Sequence, residues 1–356
     1  MASNPYKNLP DEAFWRRSVA NPDFREVDPV GLFDLRLTPD MKVATAGSCF
    51  AQHIARHLQS SGFNYYVAEP GHPMLPEALR REHNYGLFSA RYGNIYTARQ
   101  LVQLVKRAYG EFQPVEDVWI EDDGRVLDPF RPTTQPGGYV SEAEMQADRE
   151  QHLAAVRTML SETDVFVFTL GLTECWRAKS DGAVFPLCPG VDGGRFDPNC
   201  HEFYNQNVTD VVADMSWVLG RIRAINPRVQ TILTVSPVPL MATAQPDAHV
   251  LSATTYSKSV LRVAADVLSR ENAEVHYFPS FEVITGAFNR GRYFADDLRN
   301  ATEEGVSHVM RLFLQHATGG KVAQQTPLPI QREETDFLAQ VEAFVDVECD
   351  EVALDR

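Results

Sequence analysis

A serine stands near the start of the chain where a short apolar segment gives way to a helical pattern. Residues 41–46 are typical of a strand, and Phe50, Ile54 and Leu58 recur behind Ser48 at helical spacing. A hydroxyl between a strand's end and a helix's start would face a crevice, with the helix dipole and backbone N–H groups directed at the group it attacks. This placement suits a nucleophile beside an oxyanion hole. Alternatively, the serine only caps the helix, a common role for this residue type.

Three further places hold side chains that could take part in chemistry, and each also has a plain structural interpretation. Glu174 could bind a sugar hydroxyl while the indole of Trp176 offers a stacking face, or Glu174 could simply hold its loop. Cys49 could act as a thiol nucleophile, but a residue at this point of a turn is expected to point into the helix packing. The Ser-Lys pair within residues 256–259 is expected at the exposed start of a helix, without a catalytic role.

The elements that would position these residues alternate between strand and helix. Strand-like apolar segments occur at 41–46, 63–67, 164–170, 229–235 and 275–278. Amphipathic helices separate them, one opened by a capping box of Ser141 and Glu144 and one closed by Gly62. The alternation predicts a doubly wound α/β sheet of mostly parallel strands. Ligands bind beyond the carboxyl ends of such strands. Functional residues are therefore expected at 47–48, 171–174 and 236–240, and after Phe278.

The chain divides into three parts by composition. Residues 1–40 are predicted to be an N-terminal extension, and residues 41–320 to form the α/β domain. Within this domain, a proline- and glycine-rich segment at about 68–138 predicts an irregular insertion around one helix at 98–109. Residues 321–356 are interpreted as an acidic C-terminal appendage that could bind a partner.

Composition excludes several classes of partner. The 356 residues are 44% hydrophobic and carry a formal net charge of −15, which disfavours nucleic acid and anionic membrane surfaces. The first residues do not predict a leader peptide, and no apolar run of about 18 residues predicts a membrane span. Five cysteines without C-x-x-C spacing suggest neither a disulfide framework nor a zinc site. A cytoplasmic location is expected.

Four segments carry a resemblance to the GSCFA family: residues 47–51 (Gly-Ser-Cys-Phe-Ala), 88–97, 169–176 and 234–240. The first of them spells the family's name, and the likeness extends over about residues 40–315. The family is similar to the SGNH (GDSL-like) hydrolases. This resemblance implies a flavodoxin-like three-layer α/β/α fold with a mostly parallel sheet, and serine-dependent ester or acyl-transfer chemistry.

The resemblance also implies roles for individual residues. Ser48 would be the nucleophile, and its own backbone N–H would be the first oxyanion donor. Thr173 stands where SGNH enzymes carry an asparagine donor, and its hydroxyl can still donate one hydrogen bond. Gly93, or alternatively Gly86, falls at the position of the glycine donor, and the side-chain amide of Asn94 could substitute for it.

The largest departure from the SGNH pattern lies in residues 297–300, where the resemblance leads one to expect Asp-x-x-His. Asp297 would orient the base, but Asn300 stands at the histidine position and cannot accept and return a proton near neutral pH. Three interpretations stay open: an inactivated variant, a natural pseudoenzyme, or an enzyme that recruits another base. His308 lies about 12 Å further along a helix and is not expected to serve. His276 is expected to be a core residue.

The function predicted from these observations is an O-acyl or acetyl esterase or O-acyltransferase, with a small molecule or a glycan as the acyl ester substrate. Asn300 is expected to impair this particular chain. The alternative is a non-catalytic protein that binds an acyl group or carbohydrate in the same crevice. A nucleotide-dependent enzyme is disfavoured, because the first strand–helix turn has neither a G-x-G-x-x-G nor a Walker loop. No cofactor and no metal ion is expected.

Overall fold

The computed structural model describes residues 4–318 and 350–355. The strands are β1 (Val43–Gly47), β2 (Trp119–Ile120), β3 (Val126–Leu127), β4 (Val165–Leu170), β5 (Glu174–Ala178), β6 (Val184–Phe185), β7 (His201–Asn205), β8 (Gln230–Val235) and β9 (Val275–Tyr277). The helices are α1 (Phe50–Ser60), α2 (Glu77–Glu82), α3 (Ala98–Ala108), α4 (Glu142–Glu162), α5 (Val208–Ile225), α6 (Val250–Glu271), α7 (Ser280–Thr285) and α8 (Glu303–Thr318). Short 3₁₀ or π turns lie at Pro5–Asn8, Asp11–Ala13, Arg16–Ala20, Phe24–Glu26, Ala287–Asn289 and Asp350–Asp355. None of the helices in these residues is long and apolar enough to cross a membrane.

The central sheet has the order β1-β4-β8-β9, and all of its pairings are parallel. Successive residues of β4 face opposite sides of the sheet, because side chains alternate along a strand. Phe166 and Phe168 pack into one hydrophobic cluster with α3, α4, α5 and α6, while Val165 and Val167 pack into another with α1, α7 and α8. The predicted three-layer α/β/α fold with a parallel sheet is confirmed.

The predicted strand at 63–67 is reduced to a single parallel bridge between Val43 and Tyr65. Tyr66 N–H donates to the Val43 carbonyl at 2.8 Å, but the next donor of β1, the N–H of Thr45, bonds to Ser89 Oγ at 2.9 Å. Because this side chain takes the place of a neighbouring backbone, the ladder cannot continue. The bridge nevertheless places this segment on the free side of β1. The order in space is then segment 63–67, β1, β4, β8 and β9, which is the flavodoxin-like order 2-1-3-4-5 when these five segments are numbered along the chain.

The predicted insertion contains α2, α3 and the short β2–β3 hairpin. Buried charges fasten it to α4. Arg91 Nη1 donates to Asp148 Oδ1 at 2.8 Å, and Arg131 bonds to both Asp128 and Asp148. Ile95 N–H then donates to the Gly47 carbonyl at 2.8 Å, which brings the loop after Tyr92 to the end of β1.

A second sheet, β6-β5-β7, is antiparallel and lies between β4 and α5 in the chain. The sequence pattern does not predict this sheet, because its strands carry mixed polar and aromatic residues rather than a continuous apolar run.

The N-terminal extension packs on the α/β domain. Phe33, Leu35 and Leu37 are buried in the same cluster as α8, and Leu37 N–H donates to the Ala317 carbonyl at 2.7 Å. Of the predicted C-terminal appendage, residues 321–349 and 356 lie outside the described residues.

Candidate active site

Ser48 lies in the turn between β1 and α1, as the sequence predicts. Gly47 before it has φ +133°, and a Cβ at that position would lie 2.3 Å from the Thr169 carbonyl oxygen, so the turn requires glycine. The Ser48 side chain is 3% exposed, and its Oγ has no hydrogen-bond partner among the described residues. No side chain caps α1, whose N-cap is Cys49. The serine is therefore not a helix cap, and its hydroxyl is uncommitted.

The backbone N–H of Ser48 was expected to be the first oxyanion donor. In the structure it donates to the Thr169 carbonyl at 3.2 Å, as a continuation of the β1–β4 ladder. An acyl oxyanion would have to replace this carbonyl as its acceptor.

The loop of the insertion carries the other residues predicted as oxyanion donors. Asn94 is 4% exposed, and its neighbour Ile95 is bonded to Gly47, so the Asn94 amide lies near the end of β1. Gly93 beside it has φ +67°, which favours glycine. Gly86, the competing candidate, lies in the turn that follows α2.

The segment after β4 packs directly against the serine. A Cβ at Gly171 would lie 2.9 Å from Ser48 Cβ and 2.9 Å from the Tyr96 carbonyl oxygen. Thr173 is fully buried, and its Oγ1 has no hydrogen-bond partner among the described residues, while its N–H donates to Ser257 Oγ at 3.0 Å. The Thr173 hydroxyl is therefore free to donate, as its predicted role requires.

The Ser-Lys pair of α6 is buried, so its predicted exposure is wrong. Lys258 is 3% exposed, and its Nζ donates to the Gly171 carbonyl at 2.7 Å. Burial lowers the pKa of Lys258 to about 7. A signal for this was present in the sequence, because Ser257 lies four residues before the apolar Leu261 and thus on the inner face of the helix.

Asp297 and Asn300 lie together in the loop before α8. Asn300 Nδ2 donates to Asp297 Oδ2 at 2.6 Å, and both side chains are exposed. Although partial burial acts to raise the pKa of Asp297, hydrogen bonds from the backbone of Arg299 and Asn300 lower it below its usual value. The side chain of this loop that turns inward is Arg299, which is 7% exposed and follows Leu298 at φ +55°.

The predicted sugar-binding pair lies in the second sheet. Thr243 Oγ1 donates to Glu174 Oε1 at 2.7 Å, and burial raises the pKa of Glu174. The indole of Trp176 packs edge-on against Phe196 and Phe203. These contacts match the interpretation that Glu174 holds its loop, and the sugar-binding role stays a prediction.

Two of the weighed histidines are held by internal hydrogen bonds. His308 Nδ1 is 2.7 Å from the Tyr293 hydroxyl, and His276 Nε2 is 3.1 Å from Gln230 Oε1. Across residues 4–318 and 350–355, no group of three or more His, Cys, Asp or Glu side chains is arranged to hold a metal ion.

Cys49 is disulfide-bonded, whereas Cys175, Cys188 and Cys200 carry free thiols, and Cys349 lies outside the described residues. The expectation of no disulfide rested on the number and spacing of the cysteines, which do not report proximity in the fold. A disulfide-bonded sulfur cannot serve as a thiol nucleophile.

Residues 42–313 match the GSCFA family. No curated protein matches the chain. Among solved structures it is similar to a carbohydrate esterase family 3 protein from Talaromyces cellulolyticus (13% identity over 86% of this chain and 100% of that one, TM-score 0.33). It is also similar to an acetyl esterase mutant solved with an acetate ion (13%, 86% and 100%, 0.32) and to an acetyl xylan esterase from the rumen bacterium Butyrivibrio proteoclasticus (14%, 82% and 68%, 0.30). Because the family match covers most of the chain, the protein belongs to the GSCFA family.

Proposed function

We propose that the protein carries out serine-dependent carboxyl-ester chemistry with Ser48 as the nucleophile. The observation that carries this proposal is the Ser48 hydroxyl, which is buried at the start of α1 and has no hydrogen-bond partner among the described residues. Most buried polar groups in proteins are hydrogen-bonded, and a catalytic role is one of the explanations for an exception. A hydroxyl held at a strand–helix turn with no structural bond of its own is free to react once a substrate reaches it.

The chemistry would follow two steps. In the first step the Ser48 oxygen bonds to the acyl carbon, the bond from that carbon to the alcohol oxygen breaks, and the serine proton passes through a base to the leaving alcohol. In the second step the oxygen of water or of an acceptor hydroxyl bonds to the acyl carbon, the bond to Ser48 breaks, and the proton of the attacking group passes through the base to Ser48. The Asn94 amide, the Thr173 hydroxyl and the Gly93 backbone are the proposed donors to the developing oxyanion. One fact supports the role of Asn94: its Nδ2 donates at 2.8 Å to a carboxylate oxygen of Asp350.

Asp297 and Asn300 would stand at the base position, and we propose that Asn300 impairs turnover. An amide can hold a hydroxyl by hydrogen bonding, but it does not take up a proton near neutral pH. Loss of the base in a serine protease triad costs on the order of 10⁶ in kcat. The alternative function, a binding protein that retains the crevice without turnover, is motivated by the same asparagine.

A glycan is the proposed acceptor or acyl carrier. A groove of about 400 Å³ beside the second sheet is lined by aromatic, amide and hydroxyl side chains: Phe203, Asn205, Gln245, Ser252 and Tyr256. Its Asn205 pairs with Glu174 across β5 and β7. Sugars are bound by such combinations of apolar rings and hydrogen-bonding groups. Whether water or a sugar hydroxyl accepts the acyl group decides between an esterase and an O-acyltransferase.

The test measures p-nitrophenyl acetate turnover and the rate of fluorophosphonate labelling in four proteins. These are the unmodified chain, Asn300→His, Ser48→Ala and the control Ser60→Ala. Ser60 lies on the exposed end of α1, where its Oγ donates to the His57 carbonyl at 3.1 Å.

We expect Asn300→His to hydrolyse ester faster than the unmodified chain, and labelling to be lost in Ser48→Ala but kept in Ser60→Ala. Turnover in Asn300→His alone would indicate a serine hydrolase with a disabled base. If neither the unmodified chain nor Asn300→His hydrolyses the ester, and Ser48 of Asn300→His also resists the probe, the hydrolase proposal fails and the binding function replaces it.

A further inference from the structure

The last described segment of the chain, residues 350–355, is hydrogen-bonded to Asn94, whose neighbour Ile95 is bonded to the end of β1 just before Ser48. Asp350 accepts two side-chain hydrogen bonds, from Asn94 Nδ2 to its Oδ2 at 2.8 Å and from Thr133 Oγ1 to its Oδ1 at 3.1 Å. Asn94 is the amide proposed above as an oxyanion donor. A carboxylate of the chain itself therefore occupies this donor.

The next residue, Glu351, enters a pocket that holds two cationic side chains. Arg299 Nη2 donates to Glu351 Oε2 at 2.6 Å, and Glu351, Arg299 and Lys258 are 5%, 7% and 3% exposed. Lys258 Nζ donates to the carbonyl of Gly171, the residue that packs against Ser48. The pocket thus adjoins the wall of the proposed nucleophile's site.

The guanidinium of Arg299 is the group that an anion in this pocket pairs with. A buried charge is costly unless it is paired and hydrogen-bonded, and Arg299 is buried with the Lys258 amino group near it. Burial lowers the pKa of Lys258 to about 7 while the Glu351 carboxylate acts to raise it, and burial raises the pKa of Glu351. Arg299 Nε is also buried and has no hydrogen-bond partner among the described residues. The pocket therefore keeps a spare donor for a ligand with more oxygens than Glu351 presents.

We propose that Asn94, Arg299 and Lys258 form a carboxylate-binding subsite beside Ser48, which residues 350–351 fill in the resting chain and thereby shield the serine. The ligand class is a small organic acid with two carboxylate groups, because two neighbouring carboxylates occupy the subsite. The shielding of a reactive serine rests on the proposed function, whereas carboxylate binding does not. Substrates with acidic groups would displace the segment as they bind.

The test replaces both acidic side chains in the full-length protein, as Asp350→Ala with Glu351→Ala. The matched control is Asp122→Ala with Asp123→Ala, which changes the net charge equally at two exposed positions. Thr133→Val is a milder third variant, because it removes one hydrogen bond to Asp350 and leaves the buried cations paired. It keeps the proposal testable if the double variant does not fold.

Two readouts are measured without thiol reductant, so that the disulfide at Cys49 stays intact. The first is the rate of fluorophosphonate labelling of Ser48. We expect it to rise at least tenfold in the Asp350→Ala/Glu351→Ala variant and about twofold in Thr133→Val, with no change in the charge control. The second is the shift of the thermal unfolding midpoint on addition of glutarate, against sodium chloride of equal ionic strength. Glutarate should stabilise the variant lacking both carboxylates and leave the unmodified chain unchanged.

The outcomes separate the two proposals. Faster labelling together with glutarate binding supports the shielded subsite. If Ser48 labels in no variant, not even when Asn300→His is added to the double variant, but glutarate still stabilises only the double variant, the subsite stands and the proposed function fails. If Ser48 labels equally fast in all variants and glutarate affects none of them selectively, the subsite is refuted and the proposed function stands. If the double variant does not fold, unchanged labelling in Thr133→Val counts against the subsite.

Discussion

The packing of Gly171 against the serine makes a prediction whose size follows from the structure. An added Cβ would lie 2.9 Å from Ser48 Cβ and 2.9 Å from the Tyr96 carbonyl oxygen. Both distances are shorter than a Cβ normally makes to any non-bonded heavy atom. The carbonyl belongs to the backbone and accepts two hydrogen bonds, from the N–H groups of Gly171 and Leu172 at 3.2 and 2.8 Å, so it cannot turn aside cheaply. Overpacking of this kind costs about 1–3 kcal/mol. We expect Gly171→Ala to lower the free energy of unfolding by that amount.

The same substitution at Gly220 is a matched control with the opposite sign. Gly220 lies within α5, where a Cβ would meet nothing within 4 Å, so alanine should stabilise the helix by up to about 1 kcal/mol. Urea unfolding of both variants and the unmodified chain measures the two effects. Gly171→Ala should also slow fluorophosphonate labelling, because Ser48 is displaced. If Gly171→Ala is as stable as Gly220→Ala, the close packing around Ser48 is not present and the reasoning is refuted.

Two further predictions concern the oxyanion donor and acid stability. Asn94→Ala in the Asn300→His background should lower kcat for ester hydrolysis by about 10²-fold with the fold retained, as loss of one oxyanion donor does elsewhere; an unchanged kcat would exclude that role. Burial and Arg131 lower the pKa of His152 from 6.5 to about 4. The unfolded chain therefore binds this proton first on acidification, so about 3 kcal/mol of stability should be lost from pH 6.5 to 4. Urea midpoints measured against pH should fall less steeply in His152→Gln, and equal slopes would contradict the assignment.

Most of the fold follows from local patterns in the sequence. A few adjacent residues determine the structure of the apolar strand β4 and of the glycine-serine turn after β1, and both were predicted. The segment at 63–67 looks equally strand-like. Its ladder is interrupted by Ser89, a residue more than 20 positions away, and no local pattern reports such a contact. The antiparallel sheet β6-β5-β7 was missed because its strands mix polar and aromatic residues and show no continuous apolar run.

Some residues of the candidate site could also be predicted from local sequence, and others could not. Ser48 and Thr173 lie at strand ends, where topology alone directs attention. Lys258 was missed because its Ser-Lys pair was expected at an exposed helix start rather than on the inner face of α6. Arg299 was not singled out, because only its neighbours Asp297 and Asn300 match the Asp-x-x-His spacing. Glu351 could not have been assigned at all. Its partner Arg299 is 52 residues away, and an acidic chain end gives no sign of what it contacts.

The central proposal is that the Ser48 oxygen attacks acyl compounds, and one measurement tests it most directly. The Asp350→Ala/Glu351→Ala variant in the Asn300→His background, with and without Ser48→Ala, is incubated with a fluorophosphonate, digested and mapped by mass spectrometry. We predict one adduct, on the peptide that contains Ser48, and its loss in Ser48→Ala. A folded variant that stays unlabelled, or an adduct elsewhere that persists in Ser48→Ala, would contradict the proposal.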